Sequence, residues 1–252
     1  MRRILVTNDD GVHSPGIQAL ADALSPLGEV IVVAPLAEAS AIGHALTLRR
    51  PLRIEEFGER RYAVDGTPTD CVNIALKILL GGQLPDLVAS GINKGYNLGD
   101  DVTYSGTVAG ALEGALLGLP AIAVSLGLGG RPGADFNHAA RVAGDVAQAL
   151  LTQPLPPRTF LNVNVPPGEP IGYRTTVQGL RNHETTITAR VDPRGQAYYW
   201  IDELHCEWIE QPDSDYIAVR DGYVSITPVH PDLTAHAARA LVDGLPLTSR
   251  VG

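Results

Sequence analysis

The chain has 252 residues, of which 44% are hydrophobic and 19% are charged, and its formal net charge is −9. This length allows a full buried core, and the negative charge disfavours general binding to the nucleic-acid backbone, because no basic surplus is present to displace counterions. The N-terminal apolar run is too short for a signal peptide and no stretch approaches the roughly 18 apolar residues of a membrane span, so we expect a cytoplasmic globular protein.

Buried strands and amphipathic helices alternate over the first two-thirds of the chain. Strands are predicted where apolar residues run continuously, and helices where apolar residues recur at helical spacing. The predicted strands span 3–7, 29–35, 86–92, 120–126 and 158–166, and the predicted helices span 15–25, 68–80, 105–118 and 136–151. This alternation is typical of a parallel sheet that is covered on both faces. We therefore predict an α/β fold whose core, residues 1–166, is a doubly wound and mostly parallel sheet.

The segment 167–230 is predicted to be rich in β-structure. A hairpin is predicted at about 184–202, where TTITARV, the turn DPRG and QAYYWI follow one another. Because a lone hairpin is only marginally stable in water, this arm should pack against something. This segment contains the aromatic residues Tyr198, Tyr199, Trp200 and Trp208. Packing of these side chains against a second subunit and packing against their own domain are equally favoured.

A strand at 223–229 and a C-terminal helix within 231–252, predicted at 232–245, close the chain. We interpret residues 1–252 as one domain.

Two adjacent carboxylates, Asp9 and Asp10, follow the first strand in the motif NDDG. Open α/β sheets bind ligands beyond the carboxyl ends of their strands. Adjacent carboxylates repel each other unless a cation neutralises them, which favours a metal site. The alternative is a turn with a helix N-cap, but a cap needs only one such residue and three stand in a row here.

Three more polar clusters follow predicted strands. They are Ser40 in EASAIGHALT, Asn93 and Asn97 in SGINKGYNLGDD, and Ser105, Gly106 and Thr107 at the start of a helix. A loop serine is usually only a backbone hydrogen-bonding group, so Ser40 is a weak signal by itself. The helix start at 105–107 is either a plain cap or an anion site, since free N–H groups and the helix dipole favour negative charge.

Together these clusters predict phosphate-ester hydrolysis. Carboxylate, amide and hydroxyl oxygens suit Mg²⁺ or Mn²⁺, whereas a zinc site usually contains His or Cys. Such a cation polarises a phosphoryl group and lowers the pKa of bound water. The start of the 105–107 helix and Lys94 would stabilise negative charge.

Five motifs resemble the survival protein SurE family of nucleotidases and extend over most of the chain. They are VTNDDGVHSPGI, APLAEASAIGHALT, DGTPTDCV, SGINKGYNLGDDVTYSGTVAGALEG and DGYVSITPV. The resemblance implies removal of phosphate from nucleoside 5′-monophosphates, with 3′-monophosphates and short polyphosphate as further substrate classes. It also implies a Rossmann-like core with a β-hairpin arm used in dimer or tetramer assembly.

The resemblance also implies site residues and a cofactor, one divalent cation, Mg²⁺ or Mn²⁺, per subunit. The implied metal ligands are Asp9, Asp10, Ser40 and Asn93, and the implied phosphate contacts are Asn97, Ser105, Gly106 and Thr107.

Asp9 and Asp10 are the predicted catalytic residues. Our hypothesis is attack by a metal-bound water, which one of the two aspartates helps to deprotonate. A carboxylate bound to a cation is a poor proton acceptor, so one aspartate would bind the metal while the other accepts the proton. A covalent aspartyl-phosphate is the competing route.

Two other classes of protein share some of these features. A signalling receiver module also places an acidic pair after its first strand, but it needs an aspartate after the third strand, where this chain has SGIN. A non-hydrolytic Rossmann-like nucleotide-binding or sugar-transfer protein is the second alternative, although no GxGxxG or GxxxxGK[ST] motif is present.

Four residues in or near these motifs are not assigned to the metal or phosphate site. Thr67, which precedes Pro68 and Asp70, fits a helix cap. The roles of His13, His44 and Lys94 stay open at this point, since a loop histidine is more often a surface or packing residue than a catalytic one.

Overall fold

The computed structural model describes residues 1–129, 134–182, 185–203 and 207–245. Its strands are β1 (Arg3–Thr7), β2 (Glu29–Pro35), β3 (Ile54–Gly58), β4 (Arg61–Val64), β5 (Leu87–Lys94), β6 (Ala121–Leu126), β7 (Phe160–Val165), β8 (Tyr173–Thr175), β9 (Thr185–Val191), β10 (Ala197–Glu203) and β11 (Val224–Val229). Its helices are α1 (Pro15–Leu24), α2 (Pro68–Ile74), α3 (Gly106–Leu116), α4 (Asn137–Thr152), α5 (Asp215–Arg220) and α6 (Arg239–Asp243). A π-helical turn at Ala75–Leu79 extends α2.

A nine-stranded sheet lies at the centre, in the order β3-β4-β2-β1-β5-β6-β7-β11-β8. The six strands from β4 to β7 in this order run parallel, and β3 and β11 are antiparallel to them. The chain passes from β1 to β2 on one side and later continues from β5 on the other. The direction of winding therefore changes between β1 and β5, which is where such sheets bind ligands. The predicted doubly wound, mostly parallel sheet is confirmed.

Helices cover both faces of this sheet. On one face, α1 and α4 pack together over a core that includes Ile17, Leu20 and Val142. On the other face, α2 and α3 pack over a core that includes Val72 and Val108. The strands between these layers are apolar on both sides, which explains why their sequences read as continuous hydrophobic runs.

Four observed elements were not predicted: β3, β4, β8 and α5. All five residues of β3 are exposed and it pairs only at the edge of the sheet, so it lacks the buried alternation that marks a strand. Both α5 and β8 are too short to show a period. The strands β8 and β11 lie after residue 167 and complete the same sheet as β1.

The predicted helix at 232–245 is wrong in extent. A 3₁₀ turn at His236–Ala238 precedes the five-residue α6, and residues 246–252 lie outside the described residues. Asp232 accepts a hydrogen bond from the backbone N–H of Thr234 at 2.9 Å, and such local bonds compete with helix formation. Leu241 in α6 is exposed, so packing within the described chain does not stabilise a longer helix.

The strands β9 and β10 form a separate two-stranded antiparallel sheet that corresponds to the predicted hairpin arm. The aromatic residues of this region divide into two groups. Trp208 stacks on Tyr216 of its own chain, with ring centroids 4.4 Å apart. Tyr199 and Trp200 on the arm are about two-thirds exposed, at 65% and 64%. No helix among the described residues is long and apolar enough to cross a membrane.

The contact between α1 and β5 requires a glycine at position 16. A Cβ atom there would lie 2.1 Å from the carbonyl oxygen of Ile92, whereas a Cβ atom at Gly144 in α4 would meet only Ala23 at 3.6 Å. We predict that Gly16→Ala lowers the free energy of unfolding by about 1–3 kcal/mol, because the backbone of α1 or β5 must move to make room for the new methyl group. Gly144→Ala should raise it by about 0.5–1 kcal/mol through helix propensity. Urea unfolding of both variants measures the difference, and equal effects would contradict this packing.

Candidate functional site

A cavity of about 660 Å³ lies at the carboxyl ends of β1 and β5. Six of the eight predicted site residues line it: Asp9, Asp10, Ser40, Asn93, Asn97 and Ser105. They come from four separate parts of the sequence, which the parallel sheet brings to one edge. The cavity is therefore the candidate functional site.

The turn after β1 is held by Asn8 and not by the two aspartates. The Asn8 side-chain amide donates to the Gly11 carbonyl at 3.1 Å and to the Ser14 hydroxyl at 2.8 Å. Ser14 is the N-cap of α1, since its hydroxyl accepts from the N–H of Ile17. Neither aspartate caps this helix. Of the alternative interpretation of NDDG as a turn with a helix N-cap, the turn is therefore present and the N-cap is wrong.

Asp9 is buried against the N-terminus of α3. The Thr107 hydroxyl donates a hydrogen bond to its carboxylate. A Cβ atom at Gly106 would lie 2.7 Å from the Cβ of Asp9, so α3 can begin this close only with glycine at that position. Burial raises the pKa of Asp9, and the charge of Asp10 raises it further, while the hydrogen bonds from Thr107 lower it.

Asp10 lies beside Asp9 with one buried oxygen unused. Its Oδ2 atom has no hydrogen-bond partner among the described residues. Burial raises the pKa of Asp10, the neighbouring Lys94 lowers it, and Glu38 raises it. A buried carboxylate oxygen without a donor is costly unless a cation or another group binds it.

Ser40 reaches the cavity from the loop after β2, and Asn93 reaches it from the end of β5. Asn93 follows a shift in the pairing of β5 with β6, and such irregularities re-aim side chains at the ends of strands. Its amide nitrogen donates to the Gly95 carbonyl at 3.1 Å, which leaves the amide oxygen as the atom able to bind a cation. The Ser40 hydroxyl donates to Glu38 at 2.8 Å. The backbone N–H of Ala39 donates to the Asp9 carbonyl at 2.8 Å, which fixes the Ser40 loop beside β1.

The start of α3 serves two purposes. The Ser105 hydroxyl caps the helix by accepting from the N–H of Val108 at 3.1 Å, and Ser105 also lines the cavity. Gly106 and Thr107 do not line it. Thr107 instead holds Asp9 through its hydroxyl, so part of the helix N-terminus stabilises a carboxylate of the chain itself.

Comparison with known proteins shows the family to which the chain belongs. A family model described as Survival protein SurE matches residues 4–185. The chain belongs to the SurE family. It is 52% identical over 243 residues to 5′-nucleotidase SurE of Geotalea daltonii, which covers 95% of this chain and 97% of the relative. It is 53% identical to 5′-nucleotidase SurE of Myxococcus xanthus, with 93% and 90% of the two chains covered.

A solved SurE structure has the same fold. The crystal structure of SurE protein from Aquifex aeolicus is 43% identical in sequence and superimposes with a TM-score of 0.85. The match covers 96% of this chain and 98% of that chain.

Three residues that sequence reasoning missed hold Asn97 in this SurE chain. The Asn97 N–H donates to the Asn164 side chain at 2.9 Å, and its carbonyl accepts from Asn162 at 2.8 Å and from Asn164 at 3.0 Å. The Asn97 side-chain amide donates to the Ser125 hydroxyl at 2.7 Å. All three partners are fully buried. The only sequence signal was a pair of polar residues inside the otherwise apolar strand β7.

His44, whose role was open, joins the Ser40 loop to α3. Its Nε2 atom lies 2.7 Å from the Glu113 carboxylate, and the Asn73 amide donates to the other Glu113 oxygen at 2.7 Å. His44 does not line the 660 Å³ cavity, and neither does His13. The His13 ring contacts the Phe57 ring edge-on, with ring centroids 4.8 Å apart. The geometry assigns His44 a structural contact.

The predicted ligands fit a hard cation. Asp9, Asp10, Ser40 and Asn93 offer carboxylate, hydroxyl and amide oxygens, and the unused Asp10 Oδ2 atom is an oxygen that a cation would satisfy. Within the ranges that the structure describes, no group of three or more His, Cys, Asp or Glu side chains is placed to hold a metal. This donor set suits Mg²⁺ or Mn²⁺, which are often held by few protein groups, better than zinc.

Glu113 generates a prediction about stability and pH. Burial raises its pKa and Asp70 adds to this, but the hydrogen bonds from His44 and Asn73 outweigh both, so its pKa lies below the usual 4.5. A carboxyl group with a lowered pKa stabilises the fold above its unfolded pKa, and this contribution is lost as the pH falls. We predict that Glu113→Gln lowers the free energy of unfolding at pH 7 by about 1–3 kcal/mol.

The difference between wild type and Glu113→Gln should shrink as the pH falls below 4.5. Urea unfolding across this pH range measures it, with Glu59→Gln, whose side chain is 85% exposed, as the control. A difference that does not change with pH would contradict the role assigned to the charged carboxylate.

Proposed function

We propose that this SurE chain is a divalent-metal-dependent phosphatase that hydrolyses nucleoside 5′-monophosphates to nucleoside and phosphate. The observation that supports it most is the adjacent pair of buried Asp9 and half-buried Asp10 in the same cavity as the start of α3. The Oδ2 atom of Asp10 has no hydrogen-bond partner among the described residues. A carboxylate pair suits a cation, and a helix N-terminus suits a phosphate. Relatives about half identical to the chain are named 5′-nucleotidase SurE.

One Mg²⁺ or Mn²⁺ per subunit would be held by Asp9, Asp10, Ser40 and Asn93. Bound there, the cation would neutralise the two carboxylates, polarise a phosphoryl oxygen and lower the pKa of water. Asp9 keeps one oxygen fixed on Thr107, so its carboxylate is held in place before any ligand binds. Ser40 is oriented by its bond to Glu38.

The phosphate would be held by Asn97 and Ser105, which line the cavity, and by the N-terminus of α3, which Gly106 and Thr107 begin. Asn97 uses one amide hydrogen on Ser125, which leaves a second hydrogen for a phosphate oxygen. The N–H groups at the start of α3 favour an anion because they lack partners within the helix. With its backbone fixed by Asn162 and Asn164, Asn97 loses little conformational freedom when it binds phosphate.

The proposal extends to 3′-monophosphates and short polyphosphate as substrates, and to a homodimer or homotetramer as the working form. The exposed aromatic side chains of the β9–β10 arm support assembly, since an isolated hairpin of this kind gains stability by packing against another surface. A non-hydrolytic nucleotide-binding protein is the alternative function.

Removing the carboxylate of Asp10 tests the proposal directly. We predict that Asp10→Asn lowers kcat/KM for adenosine 5′-monophosphate by about 100-fold or more, because the cation and the proton transfer both depend on this pair. Chelation should abolish release of phosphate by the wild type, and added Mg²⁺ or Mn²⁺ should restore it. Asp22→Asn, an exposed change on α1, is the control.

Phosphate release that survives both chelation and Asp10→Asn would rule out the metal-dependent mechanism. Isotope-labelled phosphate trapped on Asp9 or Asp10 during turnover would favour the covalent route over direct attack by water.

Lys94 provides a separate test. The chain contains only two lysines, Lys77 and Lys94, among its 19 basic residues. Lys94 supplies the one Lys or Arg side chain among the described residues lining a cavity that also contains four carboxylates: Asp9, Asp10, Glu38 and Asp101. We predict that Lys94→Ala raises KM for the nucleotide about 3- to 10-fold, and more at low salt, since exposed charges are screened by ions.

Lys94→Arg should retain most of the affinity, and Lys77→Ala on the π-helical turn should change nothing. Steady-state kinetics at low and high salt measure these effects. A KM that is insensitive to Lys94→Ala at low salt would exclude contact between this lysine and the substrate.

A further inference from the structure

The candidate cavity has an apolar wall in addition to its polar end. Besides the acidic and phosphate-binding residues, Ala41, Tyr96, Tyr104 and Ile201 line it. A volume of about 660 Å³ is within the range of small-molecule sites and larger than a phosphate group needs. The cavity therefore has room for the rest of a substrate, and two aromatic rings stand at its wall.

Tyr104 is placed directly beside the phosphate-binding end. It immediately precedes Ser105, the N-cap of α3, and both residues line the cavity. Its N–H donates to the Asp101 carbonyl at 3.0 Å and its carbonyl accepts from the Gly43 N–H at 2.8 Å. The backbone of Tyr104 is thus fixed on both sides.

The Tyr104 ring is nevertheless accessible, with 58% of the residue exposed. No ring-to-ring contact involves it in the part of the chain that the structure describes. A large ring on a fixed backbone, with a free face in a cavity, loses little entropy when a flat group packs on it.

Tyr96 differs from Tyr104 because its ring is part of the cavity wall. It packs so closely against Gly127 that a Cβ atom there would lie 2.1 Å from the Tyr96 ring. Burial raises the pKa of Tyr96 to about 12. This ring shapes the cavity, whereas the exposed face of Tyr104 remains for a ligand.

We propose that the Tyr104 ring is the surface on which the base of a bound nucleotide stacks. This inference rests on the proposed function and adds to it the residue that recognises the nucleoside part of the substrate. Stacking on an aromatic ring accepts every base, because each base has a π-face. The site is therefore tolerant of base identity and selects nucleotides over phosphate esters that lack a base.

Two substrates that differ only in the base test the inference: adenosine 5′-monophosphate and ribose 5-phosphate. Tyr104→Ala should lower kcat/KM for the nucleotide about 5- to 100-fold and leave ribose 5-phosphate within about twofold. Tyr104→Phe, which keeps the ring, should restore the preference for the nucleotide. Tyr173→Ala, a half-exposed tyrosine on the edge strand β8, is the matched control and should change neither.

Calorimetric binding of the same two compounds accompanies the kinetics. A loss that is equal for both compounds, or no loss for the nucleotide, would overturn the role of Tyr104. Failure of the wild type to release phosphate from either compound would instead refute the proposed function. In that case, the binding difference between wild type and Tyr104→Ala still decides whether Tyr104 recognises the base.

Discussion

Asp9 and Asp10 place two like charges side by side at the end of the central strand, where burial raises the pKa of both. Neighbouring groups of the chain offset part of this repulsion. The helix α3 begins against Asp9, which is possible because residue 106 is a glycine, and Thr107 donates to the carboxylate. No hydrogen-bond donor among the described residues binds the Oδ2 atom of Asp10, and this unsatisfied oxygen makes the pair suited to a cation.

Backbone hydrogen bonds join the loops around this pair into one framework. The Ser40 loop is hydrogen-bonded to the turn after β1, because the Ala39 N–H donates to Asp9. It is also bonded to the residue before the N-cap of α3, because the Gly43 N–H donates to Tyr104. Farther along the same loop, His44 meets Glu113 on α3. Groups that would bind metal, phosphate and base are therefore held in fixed relation before a ligand arrives, which reduces the entropy lost on binding and favours catalysis.

Side chains that support the site are less visible in the sequence than those that line it. Thr67 was predicted to cap α2, and this is confirmed by reciprocal bonds between Thr67 and Asp70. Asn162 and Asn164 gave no comparable signal, because their meaning depends on Asn97, which lies more than sixty residues away. The exposed edge strand β3 was missed for a related reason: its pairing with β4 is not accompanied by a buried face.

The sequence by itself determined the doubly wound sheet and the positions of its main strands and helices, because hydrophobic periodicity is a local property that each segment displays independently. Its motifs also identified the polar residues that follow the strands. Only the tertiary structure decided which of these meet: that Ser14 and not an aspartate caps α1, that Thr107 holds Asp9, and that Tyr104 lines the cavity. Contacts between distant residues depend on how the strands are ordered and how closely the helices pack, and local patterns contain neither.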